Sequence, residues 1–147
     1  MQDVGVGIEM HGYGFTSAMF SVEPGEDSET SDGRYGKQVA EWLKVALNKH
    51  GYDVSAIVAE RWGRCVVCST SPARLWVGVG NMDPKVAEPG DSDTDPDIIW
   101  HCFVSADLPL WARLFRRRQI RLALHKLDAA VGSILAACDE ITLVPEP

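Results

Sequence analysis

At 147 residues, 46% apolar and 24% charged with 5 Trp, the chain has the size and composition of one globular domain (residues 1–147) with a packed core, which excludes disordered, fibrous and disulfide-dependent classes. Its net charge of −7 makes nucleic acid an unfavoured partner, because an acidic surface repels phosphate at long range. No run approaches the roughly 20 apolar residues that cross a bilayer, so no membrane association is expected, and Met1-Gln2-Asp3-Val4 puts an acid where a secretory signal carries bases, so a cytoplasmic location is expected.

Gly7-Ile8-Glu9-Met10-His11 alternates apolar with polar and predicts a first strand. Glu23 to Gly33 follows as a loop holding Pro24-Gly25 and several acids. A helix is predicted from about Arg34 to Lys49, since Tyr35, Val39, Trp42, Leu43 and Ala46 form one stripe at 3.6-residue spacing. Ser31 or Asp32 suits its N-terminal cap, Gly51 its stop, and Lys44 and Lys49 its C-terminal dipole.

Beyond Tyr52 the period falls to two, and strands are predicted at Val54–Val58, Arg64–Thr70, Leu75–Asn81 and Ile98–Ser105. Ser71-Pro72-Ala73-Arg74 is short enough to join antiparallel neighbours. Asp83–Asp97 is a long polar excursion. From Leu108 to Ala137 the chain is helical in character, but Leu110 and Leu114 fall out of phase with Ile120, Leu124, Leu127, Val131 and Ile134. A short helix, a break near Arg116–Arg118 and a long helix resolve that conflict. With Ile141–Val144 as a last strand, the order predicts an α+β fold: a mostly antiparallel sheet of five to six strands with helices packed on one face.

Several patterns suggest chemistry. Cys65-Val66-Val67-Cys68 has the spacing of zinc knuckles and redox pairs, yet on a strand residues three apart point to opposite faces, so two core thiols in a reducing compartment are the favoured reading. Asp91-Ser92-Asp93-Thr94-Asp95 copies the opening of a calcium loop, but Pro96 and Cys102 stand where its glycine and bidentate glutamate belong, which favours a solvated loop. Arg113, Arg117 and Arg121 recur at helical spacing beside Arg116 and Arg118, a stripe expected to neutralise the chain's own acidic loops.

Trp62, Trp76 and Trp100 come from sheet segments near Arg64, Arg74 and His101, with Gly78 and Gly80 leaving room beside a flat ring. Strand alternation puts Trp76 with Gly78 and Gly80, opposite Leu75, Val77 and Val79. No GxSxG, Walker, HExxH or GxGxxG pattern occurs, so no catalytic residue, metal ligand or cofactor is assigned; His11 and His101 read as hydrogen-bonded structural residues.

Glu23-Pro24-Gly25-Glu26-Asp27-Ser28-Glu29, Gly33-Arg34-Tyr35-Gly36-Lys37, Ala40-Glu41-Trp42-Leu43, Glu60-Arg61-Trp62-Gly63 and Trp76-Val77-Gly78-Val79-Gly80-Asn81 together resemble a family of short uncharacterised bacterial proteins. The likeness implies a bacterial origin and carries no activity. Residues 23–37 read as a structured approach to a helix whose free N–H groups suit an anion beside Arg34 and Lys37. The acidic, tryptophan-bearing chain is expected to be a protein-binding or inhibitory, immunity-like module that docks a basic protein rather than an enzyme. The alternative is a small-ligand receptor or enzyme with its pocket between the Glu23–Arg34 loop and the Trp62, Trp76 and Trp100 face, using Arg34, Lys37, Arg64 and His101 for binding and Glu60 or His101 as acid or base.

Overall fold

The computed structural model describes residues 7–9, 12–31, 33–70, 73–82 and 98–145. The candidate calcium loop, His11, Asp32 and the Ser71-Pro72 connection lie outside them. Every strand pair among the described residues is antiparallel. The strands are β1 (Gly7–Glu9), β2 (Tyr13–Thr16), β3 (Ala56–Glu60), β4 (Gly63–Ser69), β5 (Leu75–Asn81), β6 (Trp100–Asp107) and β7 (Thr142–Val144). They lie in the order β3-β4-β5-β6-β2-β7, with β1 pairing the far end of β6.

Cross-strand register assigns the faces. Val66, Val77 and Val104 form one row across β4, β5 and β6, and all three are buried. Helix α1 (Lys37–Lys49) sets Val39, Ala40, Leu43 and Leu47 against this face, and α3 (Arg117–Ala137) adds Ile120, Leu124, Leu127, Val131, Ile134 and Leu135. The result is an α+β fold with one core between helices and sheet, where each fully buried Leu, Ile or Val contributes about 1.5–3 kcal/mol.

Three details depart from the sequence expectation. The helix begins at Lys37 rather than Arg34, because Gly36 takes φ 141, a conformation that ends regular backbone and suits only glycine. Tyr35 is buried all the same, just outside the helix. The cap comes not from Ser31 but from Glu26, which, in a single 3-10 turn at Glu26–Ser28, accepts the N–H groups of Gly36 (3.0 Å) and Lys37 (3.1 Å) through Oε1 and that of Glu23 (2.6 Å) through Oε2. Strand β2 is additional to the predicted set and brings Phe15 into the core.

The predicted break is present. α2 (Leu110–Phe115) stops at Arg116, whose φ −130 and ψ 18 are not helical, and α3 follows at once. The long helix buries its stripe as expected, whereas Leu110 and Leu114 of α2 are each 71% exposed. Phase separation freed α3 to pack without burying α2.

Candidate functional site: an aromatic cleft on the uncovered sheet face

Hairpin geometry places the first ring. Glu60 pairs with Gly63, so Arg61-Trp62 is a two-residue turn joining β3 to β4. Gly63 has φ 155, and a Cβ there would run into the Val79 carbonyl, so this turn closes over β5 only with glycine. The turn carries Trp62 across to β5, where its ring stacks on Trp76 at 5.8 Å and 29° and meets Phe103 at 5.6 Å. Trp76 and Phe103 meet edge-on at 5.6 Å and 71°, and His101 stacks on Phe103 at 5.6 Å and 29°.

Gly78 lies between these rings. A Cβ at Gly78 would press on Phe103 and stand 2.9 Å from Cη2 of Trp62. We expect Gly78→Ala to splay the ring cluster and cost about 1–3 kcal/mol, read as a lowered urea midpoint at unchanged slope. A variant as stable as wild type would show that Gly78 does not shape the cluster.

The cluster forms one side of an open cleft of ≈ 450 Å³ lined chiefly by Arg34, Trp62, Trp76, Met82, His101 and Phe103. Polar contacts fix its rim. Trp76 donates its indole N–H to Asp107 Oδ1 (3.2 Å), whose other oxygen accepts from Arg74 (3.3 Å). Asn81 at the end of β5 accepts the Tyr35 N–H (3.0 Å) and donates to the Gly33 carbonyl (2.8 Å), while Arg34 Nη1 donates to the Asn81 carbonyl (3.1 Å). Asn81 therefore sets the position of Arg34 over the cleft.

Of the residues singled out from sequence, Arg34, Trp62, Trp76 and His101 come together here, and Trp76 shares its face with Gly78 and Gly80. Trp100 and Arg64 are on the other face, correcting the three-tryptophan surface. Register pairs Trp100 with Asn81 and Arg64 with Val79, so both turn toward the helices. Trp100 is 1% exposed and packs edge-on against Phe20 at 6.5 Å. Arg64 is 5% exposed and donates to the Glu26 carbonyl (2.9 Å) and to Glu29 (3.2 Å). Phe103 and Met82 join the site without having been singled out; Phe103 follows His101 at strand spacing, but only its pairing with Gly78 puts it under Trp62.

The anion expected at the start of α1 is supplied by the protein itself, as the Glu26 carboxyl fills the helix N-terminus. Lys37 pairs with Glu23 at 3.0 Å and takes no part in lining the cleft. Hydrogen bonds from Lys37 and Gln38 hold Glu23 below its ordinary value. Asp27 accepts the Gly33 N–H at 3.0 Å, so the acids at 23, 26, 27 and 29 each fasten the loop to its surroundings. Glu60 and His101 lie in one row but three strand spacings apart, about 14 Å, too far to act on one reacting atom.

The CxxC pair divides between faces: Cys65 registers with Gly78 on the cleft side, and Cys68 packs in the helix-covered core. Among the described residues no group of three His, Cys, Asp or Glu is placed to hold a metal ion. Burial pushes the thiols up, Cys65 to about 11 and Cys68 and Cys102 each to about 12. In the unfolded chain they ionise near 9.0, so the folded state binds more protons above that pH. Stability is therefore expected to be full below pH 9 and to fall as pH rises toward 11–12, by about 1.4 kcal/mol per pH unit for each thiol, as followed by urea titration. A flat profile from pH 9 to 11, where the thiols ionise in the unfolded chain and not in the folded one, would contradict buried thiols.

Comparison with protein-family models, curated proteins and solved structures yields no match to this chain.

Proposed function

We propose that this chain is a recognition module that binds, on the uncovered face of its sheet, a small molecule or projecting side group combining a flat apolar ring with a carboxylate or similar acceptor. The observation that carries this reading is the convergence of Trp62, Trp76 and Phe103 beside Arg34 in one cleft. The rings offer broad, low-entropy contact area to a flat group. A guanidinium has five N–H donors, and the Asn81 carbonyl engages Nη1, so the remaining donors suit an anionic acceptor.

Binding fits better than catalysis, because no nucleophile or acid–base pair stands within hydrogen-bond reach of a shared point in the cleft among the described residues. Docking of a basic protein through the acidic loop has less support, since Glu23, Glu26 and Glu29 turn toward Lys37, the start of α1 and Arg64. Thermal-shift titration against a panel of aromatic acids and their neutral amides tests the reading. Stabilisation by the acids is expected, with Arg34→Gln weakening their binding about tenfold or more and the amides far less. No stabilisation by any member, or equal loss for acids and amides, would contradict it.

A further inference from the structure

The corner between α2 and α3 is built unlike the rest of the surface. Leu110 and Leu114 lie one helical turn apart and are each 71% exposed; Trp111 and Phe115 form the adjoining row at 47% and 80%. Single exposed apolar residues are ordinary, but four large ones in two neighbouring rows make a continuous patch.

Charge gathers at the same place. Arg116, Arg117, Arg118 and Arg121 follow directly, all exposed. The Arg116 guanidinium donates to neighbouring Gln119 (3.4 Å), and among the described residues no carboxylate pairs with any of the four. The described acids of the Glu23–Gly33 loop do not reach these arginines: Glu23 pairs with Lys37, Glu29 with Arg64, and Glu26 and Asp27 accept backbone N–H groups. Among the described residues these arginines thus form a positive cluster without an acidic partner, set against the most exposed apolar side chains.

We propose that this corner docks the protein on an anionic phospholipid surface. Exposures of 71–80% on a six-residue helix describe a ridge, and a ridge of Leu and Phe with a Trp suits the soft boundary between headgroups and acyl chains. The arginines then reach lipid phosphates, each adding attraction that falls off within a Debye length. Leu122, one turn beyond Arg118 on α3, is exposed as well. No helix among the described residues is long and apolar enough to cross a membrane, and lying on one makes no such demand.

Co-sedimentation of the full chain with phosphatidylcholine vesicles, with and without phosphatidylserine, tests this. Binding is expected only to the anionic vesicles and is expected to weaken with salt. The double variant Leu114→Ser, Phe115→Ser is expected to lose on the order of tenfold in affinity, and Arg116→Gln, Arg117→Gln, Arg118→Gln is expected to abolish binding. An unchanged melting temperature in both variants separates lost binding from lost fold. The proposal is overturned by absence of anionic-vesicle binding at low salt, by equal binding to neutral vesicles, or by a serine variant that binds like wild type. Self-association that the serine variant abolishes, in a protein that ignores vesicles, would also overturn it and assign the patch to a second copy of the chain.

Discussion

Trp100→Ala is expected to lower stability by about 3–5 kcal/mol, roughly 10 °C or more in melting temperature, while leaving the geometry of the aromatic cleft in place. Trp100 is among the largest fully buried side chains and lies on the helix-covered face beside Phe20 and Phe15. Truncation removes that apolar area and leaves a cavity the sheet cannot close. Its indole N–H finds no acceptor among the described residues, so Trp100→Phe, which deletes the orphaned donor and keeps an aromatic ring, should cost much less than alanine. Urea unfolding of the two variants checks both statements. Near-wild-type stability for alanine would mean that Trp100 is not in the core.

Glu26→Ala is expected to cost about 3 kcal/mol or more, because one buried carboxyl serves three backbone N–H groups and, among the described residues, no other side chain caps α1. Its loss strands the donors of Gly36, Lys37 and Glu23 and removes the link between the acidic loop and the helix. Glu26→Gln keeps one acceptor oxygen and should fall between wild type and alanine. The damage should extend to the cleft, since the loop positions Arg34 through Asn81. Thermal unfolding measures the first effect; a change below about 0.5 kcal/mol would show that solvent replaces the carboxyl without penalty.

Where a feature depended on local rhythm, it was readable from the chain. The α1 stripe, the strands from β3 to β6 and the break at Arg116 follow from apolar spacing alone, because each element has one face to bury. Alternation within β5 likewise placed Trp76 with Gly78 and Gly80. What failed required knowledge of neighbours. Trp100 looks equivalent to Trp76 until register pairs it with Asn81, which turns it to the opposite face.

Strand β2 was hidden by Gly12 and Gly14, residues that resemble a loop. Both have a packing reason: a Cβ at Gly12 would collide with the His101 ring, and one at Gly14 would stand 3.0 Å from Val144. The helix cap was missed because its acceptor, Glu26, lies ten residues before Gly36, brought back by a turn at Gly25 that no periodicity records. The exposed face of α2 was missed for the opposite reason, since a phase change explains how α3 packs but does not say whether α2 has anything to pack against.

The division of labour between the two sheet faces is tested most directly by the indole N–H resonances of the protein's tryptophans during titration with an aromatic carboxylate. The account predicts that the Trp62 and Trp76 signals move together with ligand while Trp100 stays still. Largest displacement at Trp100, or saturable binding that moves neither Trp62 nor Trp76, would contradict it.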